Sequence, residues 1–337
     1  MAQALAIKYR PKVFDDVVEQ SSIRVILEQQ LASGEVKHSY LFVGSAGTGK
    51  TTCARIFANE INKGSGNPIE IDAASHGNVS DIRDLVIQAK SKPLDADYKI
   101  FIIDECHCLS AAGWSAMLKL IEEPPVTAIF IFCTTDVQKV PKTIMSRCQR
   151  FDFKRISLKG IINRLQYICK NEDTIVSFED DALEYIAKLA DGGMRDAITY
   201  LDKVSSYSPT ITLDSVVKSL GTVDYDIMKE LTEAVLYNNK EDVIKIIENI
   251  HNEGKDLKLF LKNYIQFLLD IIKWSIGCDW LYIQLPRFDT YQKWLQSLSK
   301  DDIDIILTIL NSLVKLQCDI KYSASPRYDI EVTLLLI

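Results

Sequence analysis

The sequence predicts an α/β domain, a parallel sheet covered by helices, followed by two all-α domains. Over residues 1–155 short apolar runs of strand length alternate with amphipathic segments of helical period, the pattern of a parallel sheet threaded by helices. After Phe153 the strand-like runs stop and apolar residues recur at three-and-four spacing. A length of 337 residues suits two or three domains, and 47% apolar against 25% charged residues gives each a core to bury.

In chain order, residues 40–43 read as the first strand and 53–62 as the helix after it. Residues 68–71 form a second short strand. Residues 79–90 are helical, with Val79, Ile82, Leu85, Val86 and Ala89 on one face. The unbroken apolar run 99–103 is a strand buried on both sides, leading to a helix over 111–121 that Pro124-Pro125 stops. Residues 128–133 repeat the buried-strand pattern. Helices are then expected over 158–170, 179–189, 194–205 and 213–220, with Ser208-Pro209 in a loop. Gly221-Thr222 is the expected boundary, and everything from Tyr225 onward reads as helical: 227–237, 240–251, 257–276, 291–298 and 301–318. The expected domains are 1–155, 156–221 and 222–337.

A net charge of −7 and a pI near 5.3 exclude a protein that coats nucleic acid with its whole surface, so any such contact must be a local patch. The N-terminus lacks the apolar run of a signal peptide. The most apolar later stretch, 267–285, is broken by Asp270, Lys273 and Asp279, so it reads as a buried helix and not a membrane span. A soluble, cytoplasmic chain with no membrane partner is expected. Its eight cysteines include no C-x2-C pair and its four histidines are scattered. That spacing points to buried free thiols in a reducing compartment, and to no zinc or other metal besides magnesium.

The motif Gly44-Ser45-Ala46-Gly47-Thr48-Gly49-Lys50-Thr51, with Thr52 next on the helix, fits G-x4-G-K-[ST] in full and lies between a strand and a helix. Its glycines let backbone N–H groups close on phosphates at a helix N-terminus. Lys50 is placed for the β- and γ-phosphates of ATP, and the Thr51 hydroxyl for Mg2+. The strand ending in Asp104-Glu105 is the expected partner. Asp104 would join the magnesium shell and Glu105 would stand beside the attacking water, which points to hydrolysis as well as binding. The strand ending in Thr134-Thr135 offers hydroxyls that could sense the γ-phosphate, or threonines serving as ordinary strand formers. Between residues 139 and 155 six basic side chains face one acid. That run is either a solvated face or, at Arg147, a residue offered across a subunit boundary. Gly192-Gly193 before Met194-Arg195 is either a loop pair with a capping arginine or the approach that folds Arg195 onto the γ-phosphate.

In this order these residues resemble the AAA+ clamp-loader ATPases of the bacterial DNA polymerase III gamma/tau type. The likeness runs from Lys8-Tyr9-Arg10-Pro11 and Phe14-Asp-Asp-Val17-Val18 through His38-Ser-Tyr-Leu-Phe42 and the P-loop. It continues with Glu70-Ile-Asp-Ala-Ala-Ser75, Ile103-Asp-Glu-Cys-His107, Leu118-Lys-Leu-Ile-Glu-Glu-Pro-Pro125, Thr134-Thr-Asp136, Ser146-Arg-Cys148 and Met194-Arg-Asp-Ala197, and ends with Tyr322-Ser-Ala-Ser-Pro-Arg to Leu335. The resemblance implies a P-loop AAA+ core over 1–155, a helical lid over 156–221 and a collar over 222–337. Collars would hold an open five-subunit ring containing further copies of the chain with delta-like and delta-prime-like subunits. Tyr9, Arg10, Pro11, Val17 and Val18 would lie along adenine. Arg147 would be the trans-acting arginine finger, Thr135 the first sensor and Arg195 the second. The segment 109–118 would face a sliding clamp, with Leu109 and Trp114 as contacts. Primed-template DNA would lie inside the spiral against Ser75, His76, Asn78, Ser80 and Arg83. Such a motor closes around the clamp on binding ATP and releases it on hydrolysis.

Two departures from that family stand out. Residues 59–68 run straight from the P-loop helix to the next strand, without the family's usual four-cysteine zinc module. The sequence given stops at Ile337, where tau forms continue, which leaves a gamma-like form and a stripped-down system such as a phage both open. A branch-migration or fork-remodelling translocase would need hexamers and pore loops, and the collar-like third domain argues against it. A nucleotide-locked scaffold has no use for intact Lys50, Asp104 and Glu105 together.

Overall fold

The apolar runs of the first half form parallel strands in the computed structural model, which describes residues 3–75, 79–93, 95–220, 225–278, 283, 288–320 and 323–337. The strands are β1 (Ser39–Val43), β2 (Ile69–Asp72), β3 (Lys99–Asp104), β4 (Ala128–Thr134) and β5 (Gln149–Asp152), in the order β2-β3-β4-β1-β5. Every pairing is parallel, and the register sets Val43 beside Thr134 and Asp72 beside Asp104. The carboxyl ends of β1, β3 and β4 therefore finish side by side, where open α/β sheets bind ligands.

Around these strands run α1 (Leu5–Lys8), α2 (Ser21–Ser33), α3 (Lys50–Ile61), α4 (Val79–Ala89), α5 (Ala111–Glu122), α6 (Lys142–Met145) and α7 (Leu158–Asn171). Side chains alternate across a strand, so each buried strand feeds two cores. Leu41, Phe101, Ile103, Phe130 and Phe132 pack with Ile82 and Leu85 of α4 and Met117 of α5. Phe42, Ile100, Ile102, Ile129 and Ile131 pack with Leu27 of α2 and Phe57 of α3 on the other face. Both faces of β1 and β4 are covered, which is why they read as unbroken apolar runs.

Chain contacts divide the molecule into a unit of residues 1–172 and 189–202, which holds the sheet, and a unit of residues 173–188 and 203–337. The helices α8 (Asp180–Leu189), α9 (Met194–Tyr207), α10 (Leu213–Leu220), α11 (Tyr225–Leu236), α12 (Lys240–Asn252), α13 (Leu257–Ser275), α14 (Phe288–Ser297), α15 (Lys300–Asp319) and α16 (Pro326–Leu335) follow in order. Strands do not vanish after Phe153: β6 (Ser177–Phe178) and β7 (Thr210–Ile211) make a two-residue parallel ladder. The core of the second unit gathers Leu231, Ile247, Phe260, Tyr264, Phe267, Leu268, Ile309 and Leu313. At its centre the Tyr264 hydroxyl meets the Thr232 hydroxyl at 3.1 Å, so the buried phenol has a partner. No helix among the described residues is long and apolar enough to cross a membrane. The boundary expected at Gly221-Thr222 lies outside the described residues.

Candidate active site

A cleft of about 480 Å³ opens at the carboxyl ends of the strands, within the sheet-containing unit. Its polar floor is the loop after β1. Gly47 and Gly49 take φ of +72° and +101°, a conformation other residues adopt only under strain, and Gly49 starts α3 with no side-chain cap. The first N–H groups of α3 are therefore offered to a ligand, the geometry that suits an anion. Lys50 is buried, and its ammonium donates to the carbonyls of Gly44 (2.8 Å) and Ser45 (2.9 Å). Burial draws its pKa below the ordinary lysine value, against the pull of Glu105 and Asp104.

Thr51 at the start of α3 donates its hydroxyl to Asp104 at the end of β3, 2.7 Å away. A hydroxyl and a carboxylate this close fit one small divalent cation that would take both as oxygen ligands, as Mg2+ does beside a phosphate. Glu105 follows in the left-handed region at φ +45°, a strained backbone of the kind found at functional sites. Its Oε2 accepts from the Thr135 hydroxyl (2.9 Å) and the Thr135 N–H (3.3 Å), joining the ends of β3 and β4.

The cleft is also lined by the apolar Ile7, Val17, Val18, Ile156 and Ile198 and by Tyr9, Arg10 and Pro11. The Arg10 guanidinium donates to the Thr52 hydroxyl at 3.1 Å, and burial followed by the nearby Arg55 charge lowers its pKa. Arg164 fixes the segment from α7 by donating to the Tyr9 carbonyl at 2.9 Å. The glycine pair before α9 has a packing role. The Met194 N–H donates to the Gly47 carbonyl at 3.0 Å, and a Cβ on Gly47 would come within 3.0 Å of Gly193. That close backbone approach brings Arg195 to the cleft wall.

Arg147 stands apart from this cleft, paired with Glu122 at 2.9 Å and donating to the Thr143 carbonyl at 2.8 Å. Ser75, Ser80 and Arg83 are exposed, while His76 and Asn78 lie outside the described residues. Leu109 and Trp114 are buried, Trp114 against Phe132 at 5.7 Å, so neither presents the apolar surface expected of it. An indole on a mostly apolar helix face packs inward when the facing strand is aromatic. The thiols also differ from expectation: Cys53, Cys106, Cys133 and Cys169 are buried, but Cys108 and Cys318 are exposed. Sequence reasoning missed Arg164, a lone arginine on a helix that carries no signal of its own. It also gave no role to His107, whose Nδ1 is 3.2 Å from Glu105 Oε2, although His107 closes the motif containing Asp104 and Glu105.

Residues 67–157 match the DNA polymerase III delta subunit family, 160–208 the ATPase lid domain of DNA polymerase III clamp loader subunits, and 211–337 domain III of the DNA polymerase III gamma and tau subunits. Among curated proteins, the chain is 35% identical to the DNA polymerase III subunit tau of Bacillus subtilis, an alignment covering 99% of this chain and 63% of that one. It is 31% identical to the Escherichia coli tau subunit over 99% of this chain and 55% of the other. It is 30% identical to the gamma subunit of Buchnera aphidicola over 99% and 98% respectively. The chain thus spans less than two thirds of the tau subunits it matches. A solved Thermotoga maritima RuvB branch migration motor aligns with a TM-score of 0.54 at 24% identity, over 67% of this chain and 79% of that one, a likeness of fold.

Proposed function

The chain belongs to the DNA polymerase III gamma/tau family of clamp-loader subunits, and from that premise we propose that it is the ATPase motor of a clamp loader, closing around a ring-shaped sliding clamp on binding ATP and releasing it at a primer–template junction on hydrolysis. One observation carries the proposal: P-loop residues, the Asp104-Glu105 pair and Arg195 line a single cleft together with the apolar Val17, Val18, Ile156 and Ile198. ATP fits that division, its base against Val17, Val18, Ile156 and Ile198 and its phosphates in the loop of Gly44 to Thr52. Lys50 exchanges the loop carbonyls for the β- and γ-phosphates. Mg2+, held by Thr51 and Asp104, would neutralise charge on the phosphate oxygens. Glu105 takes the proton of the attacking water, while Thr135 and Arg195 meet the γ-phosphate. Arg147, held outside its own cleft, serves a neighbour's ATP across the subunit boundary.

In this reading residues 1–155 are the AAA+ core, 156–221 the lid and 222–337 the collar of a five-subunit ring with delta-like and delta-prime-like partners. Exposed Ser75, Ser80 and Arg83 face DNA phosphates inside the ring. The clamp meets the outward side of α5, where Ser110, Ala111, Ala112 and Ser115 are exposed beside the buried Trp114. Two variants test the chemistry. Lys50→Ala loses ATP binding in a fluorescence titration, whereas Glu105→Gln keeps binding and loses hydrolysis. Parent-like affinity in the first or parent-like turnover in the second would contradict the assignments.

A further inference from the structure

His107 sits on the single turn Cys106–Cys108 after β3 and is largely buried. Its Nδ1 lies 3.2 Å from Glu105 Oε2 and 3.1 Å from the Thr134 hydroxyl oxygen. The neighbours decide where the ring carries its hydrogen. A threonine hydroxyl has one hydrogen to give, and Thr134 donates it to the Asp136 carbonyl at 3.1 Å while accepting the Asp136 N–H at 3.0 Å. Toward His107 that oxygen acts as an acceptor. The Glu105 carboxylate also only accepts. With acceptors on both sides, Nδ1 must be the protonated nitrogen.

Glu105 Oε2 is thus held by the Thr135 hydroxyl and N–H and by His107 Nδ1–H. Once the Thr135 hydroxyl turns to a γ-phosphate, His107 is the side chain that still grips the same oxygen. The geometry points to His107 as a positioning residue for Glu105: it anchors Oε2 so that Oε1 is aimed at the attacking water. This inference rests on the reading of Glu105 as the base. A base on a strained left-handed backbone next to solvent has rotamers to lose, and a fixed donor two residues on removes them.

The test compares His107→Ala, His107→Asn and His107→Gln with the parent in single-turnover and steady-state ATP hydrolysis, using the full chain in its assembled complex. The Asn side-chain amide occupies the place of Nδ1, and that of Gln the place of the far ring nitrogen. His107→Ala should lower kcat roughly 10- to 100-fold, with KM for ATP within about 2-fold. His107→Asn should recover most of the loss and His107→Gln should not. Parent-like kcat in the Ala variant, equal Asn and Gln variants, or a loss confined to KM would each overturn the proposal. Glu105→Gln in the His107 background reports on the base separately: parent-like hydrolysis there removes the assignment of Glu105, and the role of His107 with it.

Discussion

Arg147, proposed above to serve a neighbour's ATP, lies outside the cleft of its own chain. Its guanidinium is held by Glu122 and the Thr143 carbonyl, neither of which lines the cleft. An exposed ion pair of this kind is worth at most about 1 kcal/mol, so a neighbour's phosphates can recruit the arginine at little cost. Arg147→Ala is therefore expected to leave ATP binding by the same chain intact and to lower the ATPase of the assembled ring by roughly 10³-fold. Unchanged turnover in the ring would remove the finger assignment. Part of this cleft's lining was legible in the sequence because motif residues stand at fixed spacing. The P-loop and the Asp104-Glu105 strand end are such cases. Arg164 was not legible, because its task depends on the backbone of Tyr9, 155 residues away, and no local pattern encodes that distance.

At the scale of elements, β4 is the strand on which the sheet depends. All of β4 is buried, and Phe130 stacks on Phe101 with centroids 5.4 Å apart. Phe130→Ala should destabilise the sheet-containing unit by about 3–5 kcal/mol. Amide hydrogen exchange reads this directly: β1 and β3 should lose protection, and undiminished protection there would contradict the packing described. The buried strands were legible because both of their faces are covered, leaving no polar residues to blur the run. Helix α2 went unread because exposed Val25 and Ile26 break its apolar stripe. The β6–β7 ladder is two residues long, too short for a period-two pattern to appear.

Across the whole molecule, family membership and the assembled cleft point the same way. The matched families divide the chain into a DNA polymerase III delta-subunit portion over 67–157, a clamp-loader ATPase lid over 160–208 and gamma/tau domain III over 211–337. The change to a mainly helical pattern was visible after Phe153, though it hid the short β6–β7 ladder, and sequence periodicity does not encode which helices pack together. The contact-based unit containing the sheet draws in residues 189–202, whose glycine pair docks on the P-loop through a close approach that only the folded chain reveals. If this chain is a clamp-loading motor, the cleft turns over fastest when a neighbour's Arg147, a clamp and DNA are all in place. The most direct test is steady-state ATPase of the chain with its partner subunits, with and without sliding clamp and primed-template DNA. The account predicts strong stimulation that requires both clamp and primer junction. Stimulation by forked or four-way DNA without any clamp would contradict it.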